Sequence, residues 1–372
     1  MTRRTSPPFR ADHVGSLLRP QRLLEARERK AKGEIDRAAL RRVEDECIRE
    51  VVALQERIGL QGATDGEFRR TFWHLDFLEQ FANVTVVPPT VKARFHTEEG
   101  DLEFEAPGLR VDGKLGHPRG IMTEDYAFLK SATKTAVPKV CIPSPSTVHF
   151  RCGRKAIDTK AYPEMAAFYA DLGRIYSEEV KALADLGLTY LQLDEVNFAY
   201  LCDPKLREQV RGIGEDPDQL PHTYARLINA AISTRSPQMT ITMHLCRGNF
   251  KSAWAAEGGY DPVAEVLFNE TDVDGYFLEY DTPRAGSFAP LRFVPKGKIV
   301  VLGLVTSKKG ALESPDALKR RIDEAARYVP LDQLALSPQC GFSSTVEGNV
   351  LTTEDEIKKL DLIVQVARDV WG

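Results

Sequence analysis

Apolar positions along the chain follow two alternating rhythms. Short runs rich in β-branched residues are separated by longer stretches whose apolar positions recur three and four apart. The first rhythm reads as buried strands and the second as amphipathic helices. Strands are expected near residues 9–16 (the weakest), 60–68, 137–144, 188–195, 239–246, 274–281, 298–307 and 332–341. The clearest helix lies within 162–188, with others at 41–60, 221–234, 315–329 and 354–370. Ser314 followed by Pro315 is good chemistry for a helix start. Eight strands, mostly followed by helices, predict an α/β (β/α)8 TIM barrel as one domain over residues 1–372. An open doubly wound sheet is the alternative, but no G-x-G-x-x-G follows the early strands. Near residues 85–120 the rhythm changes to polar–apolar alternation with many turn residues. A β-hairpin insertion from one barrel loop is expected there.

A barrel collects its chemistry at the C-terminal ends of its strands. Those ends carry Ser16, Asp65 and Glu67, Ser144, Asp194 and Glu195, His244 and Cys246, Glu279 and Asp281, Thr306, and Cys340. His244 and Cys246 are two apart, so an extended strand points both to one side. With Cys340 and Glu279 at the ends of other strands, they form a set of the kind that zinc favours. The plainer alternative is a histidine at the mouth beside two buried thiols. Asp194, in "LQLDE", either faces the mouth or caps the next helix, and Glu67, in "DGEF", carries the same ambiguity.

Composition narrows the classes. With 372 residues, 42% hydrophobic and 28% charged, the chain is ordinary for a globular protein. A formal charge of -4 and no long basic stretch argue against nucleic acid. No apolar run is long enough to span a membrane, and the basic N-terminus lacks the apolar core of a secretory signal. A cytoplasmic protein is expected. The six cysteines, at 47, 141, 152, 202, 246 and 340, are too few for a disulfide scaffold. Cys47 sits in a helical pattern and reads as core. Cys141, Cys152 and Cys202 have no matching partners and read as structural.

"DHVGSLLRP", "DGEF", "LQLDE", "MHLCRGN", "FLEYD" and "SPQCGF", in this order, resemble the catalytic barrel of cobalamin-independent methionine synthase and its short single-barrel relatives. The resemblance runs from about residue 10 to the end. Long members carry a second, N-terminal barrel for which this chain is too short. The resemblance implies a zinc-dependent thiol methyltransferase or alkyltransferase whose metal ligands are His244, Cys246, Glu279 and Cys340. It implies homocysteine-binding roles for Ser16, Glu67 and Asp194, and two acids suit a buried ammonium. Zinc deprotonates a coordinated thiol, and the thiolate is the nucleophile. The implied partners are a small thiol, homocysteine first, and an alkyl donor. A homodimer is an open alternative.

Two departures bear on the donor. The loop histidine that assists the folate leaving group in this family is matched nearest by Thr306, and the tryptophan that stacks on the folate ring by His149. Both imply a donor other than ordinary methyltetrahydrofolate. Short relatives include enzymes that join coenzyme M to epoxides, and Arg19 and Arg247 could grip a carboxylate or sulfonate. A metal-free lyase like uroporphyrinogen decarboxylase, and a barrel that only binds a ligand, are the other classes. Zinc content separates them.

Overall fold

The computed structural model of the protein describes residues 4–372 apart from 90, 91, 98, 106 and 213, and leaves the side chains of 92, 93, 151 and 152 undescribed. Cys152 therefore lies outside the described side chains. The strands, in chain order, are β1 (Gly62–Ala63), β2 (Ala82–Val87), β3 (Lys92–Thr97), β4 (Gly100–Glu105), β5 (Gly108–Gly116), β6 (Val137–Pro138), β7 (Val140–Pro143), β8 (Tyr190–Glu195), β9 (Thr240–Leu245), β10 (Gly275–Glu279), β11 (Ile299–Val305) and β12 (Leu334–Pro338).

Strands β7 to β12 form one six-stranded parallel sheet in sequential order. Most of their residues are buried, which is why they read as near-continuous apolar runs. β1 pairs in parallel with β6, which leads directly into β7. At the other edge, Ala11 bridges Leu336 of β12 in parallel.

The first two expected strands are thus shorter than predicted. Among the described residues no strand ladder joins the 9–16 segment to β1. The link is Leu17 N–H to Gly66 O at 3.1 Å and Thr64 Oγ1 to Gly15 O at 2.6 Å. The backbone explains this. Gly15, Gly66 and Glu67 have φ of +140°, +66° and +60°, so the chain leaves the extended region there.

Helices cover the sheet where the 3.6-residue period placed them: Arg37–Ile58, Met165–Asp185, Leu220–Ala231, Pro315–Ala325 and Thr353–Trp371. Ser314 caps its helix by accepting from Ala317 N–H at 3.5 Å. Thr352 and Asp355 form a reciprocal capping box. Among the described residues no helix is long and apolar enough to cross a membrane.

The expected hairpin insertion is two antiparallel pairs, β2 with β5 and, beyond them, β3 with β4. The outer pair docks on the loop after β9. His96 N–H donates to Trp254 O at 2.6 Å and Trp254 N–H to His96 O at 3.0 Å. Phe104 stacks on Phe250 with ring centroids 4.3 Å apart.

Candidate functional site

Strand β9 runs through His244 and ends at Leu245, with Cys246 directly after. β10 ends on Glu279, and Cys340 follows β12 by two residues. The parallel register aligns these ends: Asp194 is the Cα partner of His244, and Phe277 pairs with His244 on the other side. One ligand atom from each of His244, Cys246, Glu279 and Cys340 lies within 4.8 Å of the others, and all four residues are buried. The two sulfurs are 3.5 Å apart.

Two glycines allow this close approach. A Cβ on Gly303 would stand 2.8 Å from both Gln339 Cα and Leu278 O. A Cβ on Gly341 would stand 2.0 Å from Ser16 Oγ. Ser16 is thereby seated beside Cys340, where its Oγ accepts from Ser343 N–H at 3.3 Å.

Glu279 is oriented by its surroundings. Arg247 N–H donates to Oε1 at 2.9 Å, and the Arg284 guanidinium lies 3.6 Å from Oε2. Gly248 N–H donates to Cys246 Sγ at 3.3 Å. His244 is 2% exposed, and among the described residues neither ring nitrogen has a hydrogen-bond partner of sound geometry. Buried polar atoms are normally paired, so this ring is left facing the cluster with its bonding capacity unused. The hydrogen bond from Cys246 and the nearby imidazole pull the Cys340 thiol well below the usual thiol range. That same bond, with burial, pushes Cys246 well up. The two thiols therefore titrate as a coupled pair.

A second buried group, Glu67 with Asp194 and Cys141, has ligand atoms within 4.8 Å of one another. Burial raises Glu67 to about 7, against the pull of Arg70 at 3.7 Å. Burial raises Asp194 to about 6, although Gln192 Nε2 donates to it at 2.7 Å. Two acids whose charged forms are disfavoured by burial are poised to accept a cation. Glu67 holds φ +60°, sparsely populated for a residue with a side chain, and its N–H is fixed by Asp65 Oδ1 at 2.9 Å. The helix-capping alternative for Asp194 falls to its neighbour. Glu195 accepts from Asn197 N–H at 2.5 Å and Phe198 N–H at 3.3 Å, while Asp194 faces the cavity.

Both groups open on one cavity of about 740 Å³, lined by Ser16, Glu67, Asp194, His244, Cys246 and Cys340. Aromatic walls surround them: Phe72, Trp73, Phe150 and Tyr200 from the sheet side, Phe95 and Phe104 from the hairpin. The insertion is thus a roof over the strand ends.

Other sequence expectations do not hold. His149 turns away from the cavity, with Nδ1 2.9 Å from Tyr224 Oη and Nε2 3.3 Å from Glu215; its neighbour Phe150 presents the ring. Thr306 is absent from the cavity wall and serves its own turn, its N–H donating to Glu313 at 2.8 Å. The side chain that this loop sends toward the cluster is Lys308. Arg19 spends its donors on Ser343, Thr345, Glu67 O and Arg70 O, so it binds the scaffold together. Arg247 is buried over the Tyr260 ring, 4.4 Å from its centroid, and does not line the cavity. Sequence reading missed Lys308, Arg70 and the position of Cys141. A strand-end lysine in "VTSKKG" was the one available signal, and nothing in it distinguished Lys308 from a surface charge.

Residues 9–369 match the family model of the cobalamin-independent synthase catalytic domain. A Bacillus subtilis protein of uncharacterised function, YxjH, is 48% identical over 98% of this chain and 95% of its own. The methionine synthase of Pyrococcus abyssi is 24% identical over 88% of this chain and 85% of its own. A crystal structure from Listeria monocytogenes, of a candidate vitamin-B12-independent methionine synthase, superposes with a TM-score of 0.79. It is 36% identical and covers 99% of this chain and all of its own. The α/β fold, the order of the strand-end residues and these matches agree, and the chain belongs to the cobalamin-independent methionine synthase family, on whose catalytic domain it is built.

Proposed function

We propose that this protein is a zinc-dependent methyltransferase that methylates the thiol of homocysteine. It works on a single domain whose parallel sheet, with the 9–16 segment, closes as an eight-stranded barrel. The observation that carries the reading is a cluster of four buried metal-type donors, three of which line one cavity together with two buried acids. The donor set fits zinc. Two thiols, an imidazole and a carboxylate are its usual ligands, and sulfurs 3.5 Å apart approach the edge, roughly 3.8 Å, of a tetrahedron with bonds of about 2.3 Å. The unpaired His244 ring supports the same assignment.

A zinc ion held by these four residues would lower the pKa of a coordinated substrate thiol and so supply a thiolate at neutral pH. The chain's own residues do the rest. Glu67 and Asp194 hold the substrate ammonium, and their raised pKa values fall once a cation stands between them. Ser16, fixed against Gly341, supports the substrate beside Cys340. The hairpin roof and its phenylalanines exclude water and wall off room for a large, ring-bearing donor. The substrate sulfur bonds to the methyl carbon, the carbon–donor bond breaks, and the leaving group takes up a proton.

Coenzyme M fits less well as acceptor. It has no amine for the two acids; Arg19 is taken up by the scaffold, and Arg247 does not line the cavity. The test is zinc-loaded protein with homocysteine or coenzyme M against methylated folates, methylcobalamin and small epoxides, with products identified by mass spectrometry. Methionine from homocysteine is expected. Preference for the amine-free thiol, or one-to-one zinc failing to bind, overturns the reading.

A further inference from the structure

Lys308 lies in the loop after β11 and is 7% exposed. Its amine touches neutral acceptors: Asn249 Oδ1 at 3.3 Å and the Gln339 side-chain oxygen at 3.2 Å. That amide is then turned so that its nitrogen donates to Glu279 Oε2 at 3.2 Å. The ionisable groups that feel its charge are Cys246, Cys340 and Glu279, three of the four metal-type donors. The loop does not need this amine to hold its shape. Asn349 Nδ2 donates to Ser307 O at 2.8 Å, and Thr306 N–H to Glu313 at 2.8 Å. Among the described residues no carboxylate stands at contact distance from this amine, and a buried ammonium so placed is expensive unless anions nearby need it.

The charge count says they do. Two thiolates and one carboxylate carry three negative charges; a divalent ion offsets two of them. A bound substrate thiolate adds another and Arg284, 3.6 Å from Glu279, offsets one, so the working site still holds one uncompensated negative charge inside the protein. We propose that Lys308 is the positioning cation of this cluster, held by Asn249 and Gln339 to offset the excess negative charge of the metal site and its anionic substrate sulfur. This rests on reading the four donors as a zinc site.

The test compares the parent protein with Lys308→Met, which keeps the length and removes the charge, and Lys308→Arg, which keeps the charge. Zinc affinity is read by competition with a chromophoric chelator. Homocysteine binding is read from the visible spectrum of the cobalt(II)-substituted protein. Partners just outside a metal's ligands typically change its affinity about 10–100-fold. Lys308→Met should lose zinc affinity in that range and bind homocysteine more weakly still, while Lys308→Arg stays within about threefold of the parent. If the Met variant does not fold by circular dichroism, Lys308→Gln replaces it. Charge-free variants that bind zinc and homocysteine within about threefold of the parent overturn the proposal. So does an Arg variant as weak as Met, which would point to shape instead of charge. A parent that binds no zinc overturns the functional reading itself and this inference with it.

Discussion

Replacing Glu67 by Gln should make the protein more stable above neutral pH while weakening substrate binding. The Glu67 carboxyl is buried and raised from 4.5 to about 7 by loss of solvent, despite Arg70 beside it. Between those pH values the native state keeps a proton that the unfolded chain releases. The contribution of this group to stability is therefore fully present below about pH 4.5, falls as pH rises toward 7, and levels off above it. The span from 4.5 to about 7, at about 1.36 kcal/mol per pH unit, sets a ceiling of about 3.4 kcal/mol. Exchange of protons with Asp194, which shares the pocket, will bring the measured value below that ceiling. Glutamine keeps the shape, does not titrate, and leaves Arg70 its acceptors at Cys141 O and Trp73 O. Urea unfolding of parent and variant from pH 4 to 9 decides the matter. Near pH 4.5 the two should be nearly equal, and at pH 8 the variant should be more stable by about 1–3 kcal/mol. Added homocysteine should raise the Tm of the parent more than that of the variant. A variant less stable than the parent at pH 8, or one with the same pH slope, refutes the reasoning.

Asp194→Asn should weaken homocysteine binding by about 2–5 kcal/mol, the usual penalty for truncating one partner of a buried charge pair. It should weaken an amine-free thiol far less, and equal losses by calorimetry would return Asp194 to a structural role. Cys340→Ser removes one of four ligands, and a quarter of the roughly 10–16 kcal/mol typical of four-ligand zinc sites predicts a loss of about 10²–10³-fold in zinc affinity. The fold should survive by circular dichroism; zinc affinity unchanged in chelator competition would remove Cys340 from the site. Phe104→Ala deletes the ring stacked on Phe250. Aromatic pairs contribute about 0.5–1.5 kcal/mol, so limited proteolysis should cut within the hairpin several-fold faster and KM for the donor should rise, with zinc content unchanged. Cutting rates equal to the parent's would show that the roof does not depend on this contact.

The sequence by itself determined the parallel sheet. Runs buried on both faces must be apolar along their whole length, and that signature located β7 to β12. It also determined which residues meet, because parallel strands in sequential order bring their C-terminal ends together. His244, Cys246, Glu279 and Cys340 gather for that reason, with Ser16, Glu67 and Asp194 beside them. Only the tertiary structure decided the rest. The first two strands are short because Gly15, Gly66 and Glu67 take up positive φ, which no apolar pattern reveals. His149 and Phe150 are neighbours in a helix, and a rotation of about 100° per residue decides which ring faces the cavity. Which residue of the loop after β11 points inward depends on how Asn349 and Glu313 pin that loop, so Lys308 takes the place expected of Thr306. The hairpin's alternation was legible, but not where it would dock. That depends on Phe104 meeting Phe250, a contact between segments far apart in the chain and adjacent only once the sheet has formed.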